Sequence, residues 1–195
     1  MAIEALNNIQ NWDIQKKLTF AYLTCQRLFP NYRAFHLRFG FGEPSVLSIA
    51  INSIYNTILN APLEKKELIK LLSDIDSQVP QPEDFDTVLA SSALDACTSI
   101  ESTLEFIKSP NDQLIKDIST MATDSVDMYI QESDDMDYSD KDFEQKITNH
   151  PLMQKELKIQ NGIASYLNKI EKVTPEDIDT LLQLQDNNGK GNLEL

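Results

Sequence analysis

No glycine stands between Gly42 and Gly162. Glycine supplies tight turns and positive φ, and it lets backbone approach a phosphate closely. A stretch of this length without it holds no glycine-rich nucleotide loop, and it is poor in the residues that two-residue β-hairpins want. Proline punctuates the chain instead, at Pro30, Pro44, Pro62, Pro80, Pro82, Pro110, Pro151 and Pro175. Most of these stand at or just before a run with helical period, where proline is tolerated. The pattern predicts an all-α fold, a compact multi-helix bundle of about eight or nine helices.

Of the 195 residues, 41% are hydrophobic and 25% charged, an ordinary globular balance. The length suits one domain: residues 1–185 are expected to form it, with 186–195 as a frayed tail. The net charge is −14. Residues 1–60 are net basic by +2, so the remainder carries −16. Between 124 and 144, nine acids face the single base Lys141. Such a chain is not expected to bind nucleic acid, which requires clustered lysine and arginine. No apolar run reaches membrane-spanning length, and the first thirteen residues lack a basic start and an apolar core, so neither a membrane span nor a signal peptide is expected. Cys25 and Cys97 fall in apolar helical faces and are expected as buried thiols in a reducing cytoplasm.

Along the chain, Ile3–Gln10 reads as a short helix. Ile14, Leu18, Tyr22, Cys25 and Phe29 form one face of the next, capped by Asp13 and broken at Pro30. Tyr32, Phe35 and Phe39 continue to a stop at Gly40. From Pro44 to Asn60 there is no charge, and Leu47, Ile51, Ile54 and Ile58 form a stripe widened by Val46, Ala50, Tyr55 and Leu59. A helix apolar around most of its circumference is buried centrally or in an oligomer interface. Leu68, Leu71, Leu72 and Ile75 mark an amphipathic helix, and Pro80-Gln81-Pro82 a loop. A long helix then runs from Asp84 or Asp86 to Lys108, with a second face of Ser91, Ser92, Asp95, Thr98, Ser99 and Ser102. Ile115 to Tyr129 forms another helix. An acidic loop at 132–142 leads to a short helix with Ser139 as its cap. His150-Pro151 opens a further helix, and Thr174-Pro175-Glu176-Asp177 reads as a cap, a first-turn proline and two acids suited to a helix N-terminus.

Four blocks carry a family resemblance. The first comprises Leu18-Thr-Phe-Ala, Arg27-Leu-Phe-Pro-Asn-Tyr and Phe39-Gly-Phe-Gly-Glu-Pro. The second is Pro82-Glu-Asp-Phe-Asp followed by Ala93-Leu-Asp-Ala-Cys. The third is Ser125-Val-Asp-Met-Tyr-Ile-Gln-Glu, and the fourth His150-Pro-Leu-Met-Gln-Lys-Glu. In this order the chain resembles the YjaG-like family of uncharacterised bacterial all-helical proteins (domain of unknown function family 416). The resemblance implies an all-α fold and brings no activity or catalytic residue with it.

The strongest enzymatic pattern is carboxylate. Some all-helical nucleotide pyrophosphatases hold magnesium with paired acids on successive helices, because hard cations want clustered oxygen ligands. Glu101 and Glu105 on one helix and Asp124 and Asp127 on the next are the candidate metal ligands, for Mg or Mn and a phosphorylated small molecule. Their spacing departs from that pattern, and no basic phosphate-binding residue stands beside them. A solvated helix face is the expected account of them. Asp95 is a candidate buried polar residue, with Ser91, Ser99 or a helix N-terminus as partner. The run Asp134–Asp140 fails the calcium-loop pattern, which needs Gly at position six and Glu at twelve. His36 and His150 lack a histidine partner at ligand spacing, and His150 suits a cap. Arg27, Arg33 and Arg38 alternate with aromatics, and core packing with salt bridges to the acidic half is the expected account.

The reading from sequence is therefore a non-enzymatic interaction or regulatory protein, with a metal-dependent hydrolase as the alternative. Two partner surfaces are expected: Pro44–Asn60 for a second copy of the chain, and Asp124–Glu144 for a basic protein.

Overall fold

The structure, a computed structural model, describes residues 4–186 and 188–195. Among these there is no strand. After a 3-10 segment at Glu4–Asn11 come α1 (Ile14–Phe39), α2 (Pro44–Ile58) and α3 (Lys65–Asp76). A 3-10 turn at Pro82–Asp84 then leads into α4 (Val88–Lys108) and α5 (Asp112–Ser133). The last three are α6 (Phe143–Asn149), α7 (Pro151–Lys169) and α8 (Pro175–Leu184). Ile3, which the sequence reading places in the first helix, lies outside the described residues.

The helix starts follow local chemistry. Asp13 accepts from the Lys16 N–H at 2.8 Å, Asn111 from Gln113 and His150, through Nδ1, from Leu152. Thr174 and Asp177 form a reciprocal capping box, which satisfies two amides that a helix start leaves open. Ser139 does not cap α6. It donates to Asp137 instead, and α6 begins after Asp142 without a side-chain cap.

α1 and α4 pack on each other at the centre. α2 and α3 cover them from one end of the sequence, and α5 packs on both. α7 lies on α5 and α1, with α6 and α8 at its ends. Phe20, Leu23, Leu28, Tyr32 and Phe35 of α1 meet Ile100, Leu104 and Phe106 of α4 in one continuous core. A smaller cluster of Val126, Ile130, Ile147, Met153 and Leu193 sits beneath the loop that follows α5.

Pro30 does not break α1, which runs unbroken from Ile14 to Phe39. Proline removes one backbone bond, here to Gln26, and crowds the preceding turn. The helix continues because both flanks are buried: Leu28, Asn31, Tyr32 and Phe35 all lie inside. Gly40 ends it at φ +66, with its N–H on the His36 carbonyl at 2.7 Å. Gly42 follows at φ +68, and a Cβ there would collide with the Tyr32 hydroxyl. The Phe-Gly-Phe-Gly block is thus a turn that favours glycine at Gly40 by its φ and requires it at Gly42 by contact with Tyr32.

The last residues also differ from the expected frayed tail. Asn192 and Leu193 are buried. The Asn192 N–H donates to the Arg27 carbonyl at 3.2 Å. Its side-chain amide donates to Ala122 O at 2.9 Å, and its oxygen accepts from Asn31 at 2.7 Å. A low-complexity polar run gives no local signal for such docking, because the partners come from α1 and α5.

Candidate functional site

The conspicuous charges of the sequence separate into three places. Arg27 meets the acidic half of the chain as expected, in the interior. Its Nε and Nη2 donate to the two oxygens of Glu156 at 2.9 and 2.8 Å, and Nη1 donates to Gln185 at 3.0 Å. Gln160 donates to Glu156 at 2.7 Å and accepts from Ser119 at 2.5 Å. The network is closed: each charge has its partner, which is the condition for burying an ion pair.

The second place holds the carboxylates proposed as metal ligands. Glu101 lies half-buried, with Asp76 and Glu105 as the charges acting on it. Desolvation first, and then those neighbours, raise its carboxyl above the ordinary range. Glu105 binds Lys108 at 2.9 Å. Asp124 is exposed on α5 and is raised by partial burial and by Asp127. Asp127 accepts from Gln131 at 2.5 Å. The two pairs therefore have different neighbours. Among the described residues, no group of three or more His, Cys, Asp or Glu side chains is arranged to hold a metal ion.

Asp95 connects α4 to α5. Its carboxylate accepts from the Ser125 hydroxyl at 2.5 Å, so the partner is on the neighbouring helix and not Ser91 or Ser99. Burial pushes its pKa from the ordinary 3.8 up to about 6, against the Ser125 bond, which lowers it; Asp124 adds to the rise. The cysteines are free and buried, and burial raises the thiol of Cys25 to about 11. Neither is a nucleophile at neutral pH.

The third place is the loop between α5 and α6. α5 ends at Ser133, Asp134 closes its last turn onto the Ile130 carbonyl, and Asp135 takes a left-handed φ of +48. Met136 then folds back onto the smaller core cluster, its N–H on Gln131 O at 3.1 Å. Asp137 accepts from both the N–H and the hydroxyl of Ser139 at 2.8 Å, a local turn that keeps its carboxyl below the usual range. Asp140 binds Lys146, which lowers it likewise. His150 stands 3.7 Å from Asp134. Glu132 reaches across to the Val88 N–H at 2.9 Å and closes the start of α4. The loop is thus tied to α4, α5 and α6 while its carboxylates point outward.

A groove lies on each side of this loop. One, of about 550 Å³, is lined by Asp134, Asp137, Asp140, Lys146 and His150. The other, of about 490 Å³, is mixed: Pro82, Phe85, Val88, Met128, Met136 and Tyr138 give it an apolar part, and Thr87, Ser91, Gln131, Glu132 and Asp135 a polar one. Sequence reasoning found the acids and missed the apolar part. Met128 and Tyr138 come from the third block and its loop, but Pro82, Phe85 and Val88 arrive from 40 to 50 residues upstream, and no local pattern announces that meeting.

The residues that carry the family resemblance meet in these contacts. Arg27 of the first block pairs with Glu156 of the fourth, and Asp95 of the second bonds Ser125 of the third. Tyr32 of the first donates to Gln78 O and closes over Gly42. Among the described residues the fold is an all-helical bundle tied together by these polar contacts. The chain belongs to the family described as "Protein of unknown function (DUF416)", whose model matches residues 3–195. It is 27% identical over 95 residues to "Uncharacterized protein YjaG" of Escherichia coli, a match covering 49% of this chain and 46% of that one. An "Uncharacterized protein" of Haemophilus influenzae is 26% identical over 188 residues, 92% of this chain and 87% of its own length. A crystal structure of a DUF416 family protein from Shewanella baltica superposes with a TM-score of 0.87 at 26% identity, covering 97% of each chain. Among the described residues, no helix is long and apolar enough to cross a membrane.

Proposed function

We propose that this protein is a non-enzymatic interaction or regulatory protein of the cytoplasm whose Asp124–Glu144 surface binds a basic protein partner. One observation carries the reading: Asp134, Asp135, Asp137 and Asp140 sit exposed on the loop after α5, which is anchored by the packing of Met136 and by the Ser139 turn, with Glu132 beside them in the last turn of α5. Exposed carboxylates gathered on one surface attract a cationic partner by long-range electrostatics, with strong salt dependence. The free buried thiols support a reducing compartment.

The other expected surface has less to offer. α2 spends its stripe inside: Leu47, Ala50, Ile51, Ile54 and Ile58 are buried in the protein's own core. Ser45, Ile49, Asn52 and Asn56 are left outward, and Ile49, at 57% exposure, is the one strongly exposed aliphatic of that helix. A single aliphatic in a polar helix face falls far short of a stable dimer interface.

The test is quantitative affinity capture with the native protein and with the Asp134→Asn/Asp135→Asn/Asp137→Asn/Asp140→Asn variant. The reading expects a basic protein that the native chain recovers and the variant loses. The same proteins recovered in the same amounts by both would overturn it.

A further inference from the structure

The apolar groove beside the acidic loop narrows the partner further. Its floor is built from both ends of the long-range packing. Phe85 is held edge-on by Phe35 at 4.8 Å between ring centres, and also contacts Phe39 and Phe41. Val88 opens α4, its N–H tied to Glu132. Met128 and Tyr138 close the groove from the α5 side and are 44% and 80% exposed. Large apolar side chains at such exposure, gathered on one concavity with a charged rim, mark a binding surface and not a core. Methionine adds an adaptable, polarisable wall that accepts side chains of varied shape.

The sign of the rim selects the occupant. Glu132 and Asp135 line the groove itself, and Asp134, Asp137 and Asp140 continue from it along the same loop. Nucleic acid and anionic lipid carry the wrong charge for such a rim. The apolar part of the groove favours an apolar side chain, and the rim favours cations beside it. Tyr138 offers a ring face on which a guanidinium or ammonium group can sit.

Resting on the reading that the acidic loop is the partner surface, we propose that the groove lined by Phe85, Val88, Met128, Met136 and Tyr138 docks a cationic amphipathic segment of a protein partner. One apolar side chain seats on the floor, and flanking lysines or arginines meet Glu132, Asp135 and the loop carboxylates. The apolar anchor gives the segment its register, and the charges give it rate and salt sensitivity.

The experiment uses two labelled synthetic peptides of equal length and charge, one of alternating leucine and lysine turns and one with each leucine replaced by serine. Binding is followed by fluorescence anisotropy against the native protein, Met128→Lys and the four-fold Asp→Asn loop variant. Methyl-labelled methionine NMR locates the peptide. The leucine peptide is expected to bind at least about tenfold tighter than the serine peptide. Met128→Lys should erase that difference, and the methyl resonances of Met128 and Met136 should shift while those of Met121 and Met153 stay. Met128 is on the surface, so the variant folds. Equal binding of both peptides, or a leucine peptide indifferent to Met128→Lys, overturns the groove and leaves the acidic surface standing. If neither peptide binds, or the loop variant binds both as well as the native chain does, the acidic-surface reading falls with it.

Discussion

Arg27 is in contact with a residue 129 positions away in the chain, and both side chains are sealed from water. Breaking such a pair strands a charge, at a cost of about 3–5 kcal/mol. Glu156→Ala is expected to lower stability by that order in urea denaturation, whereas Arg27→Met combined with Glu156→Leu should recover most of it. A loss under about 1 kcal/mol for the single variant would show that the pair is not sequestered. Asp95 gives a sharper signature. Its folded pKa of about 6 lies above the ordinary 3.8, so the neutral form is favoured by folding. The stabilisation from that form is complete below about pH 4 and is lost as pH rises through 6. Asp95→Asn mimics the neutral acid, so it should be more stable than the native chain by about 1–3 kcal/mol at pH 8, with the gap closing towards pH 4. A gap independent of pH would place Asp95 in water. For Glu101, Glu105, Asp124 and Asp127, divided between two neighbourhoods, magnesium or manganese at about 5 mM should move Tm by less than about 1 °C in the native chain and in Asp124→Asn/Asp127→Asn alike. A rise confined to the native chain would restore the metal reading. From the sequence, Arg27 is expected to bridge to the acidic half, and Asp95 to find Ser91, Ser99 or a helix N-terminus. The actual partners are not legible there, because they are set by how α1, α4, α5 and α7 stack, which the period of each helix leaves open.

At the scale of elements, local chemistry was legible at most helix starts, Ser139 being the exception because its hydroxyl turns to Asp137 instead of to α6. Asp13, His150 and the Thr174–Asp177 box cap where the sequence placed them, since a cap is settled within four residues. Two elements went the other way for one reason, burial supplied from a distance. α1 continues through Pro30 because Asn31, Tyr32 and Phe35 are needed inside. Segment 188–195 is ordered because Asn192 and Leu193 reach α1, α5 and the smaller core. Asn192→Ala would take from the Asn31 amide its bond to the Asn192 oxygen and remove the second bond to the Ala122 carbonyl, and should cost about 1–3 kcal/mol. Native-state hydrogen exchange provides a second check: the Asn192 amide, bonded to Arg27 O, should be protected by orders of magnitude over a free chain. Exchange at the free-chain rate would restore the frayed tail.

For the whole molecule, the acidic loop and a partly apolar groove lie side by side on the surface. The interior absorbs the uncharged α2 helix and the Arg27–Glu156 pair, while the surplus of negative charge is left outside on the Asp124–Glu144 side. The acidic run could be read directly from the sequence. The groove beside it could not, because its floor is assembled from the start of α4 and the end of α5. With α2 inward, sedimentation at about 100 µM should give a single monomeric species. A dimer that dissolves on Ile49→Glu would return α2 to the role of interface. The central claim is that the fixed acidic loop is where a partner binds. The most direct measurement is the salt dependence of affinity capture, comparing native protein with the four-fold Asp→Asn loop variant between about 50 and 300 mM salt. A basic protein held by the native chain at low salt, released as salt rises and absent from the variant at every concentration, is the predicted result. A partner retained equally by both chains, at every salt concentration, would contradict it.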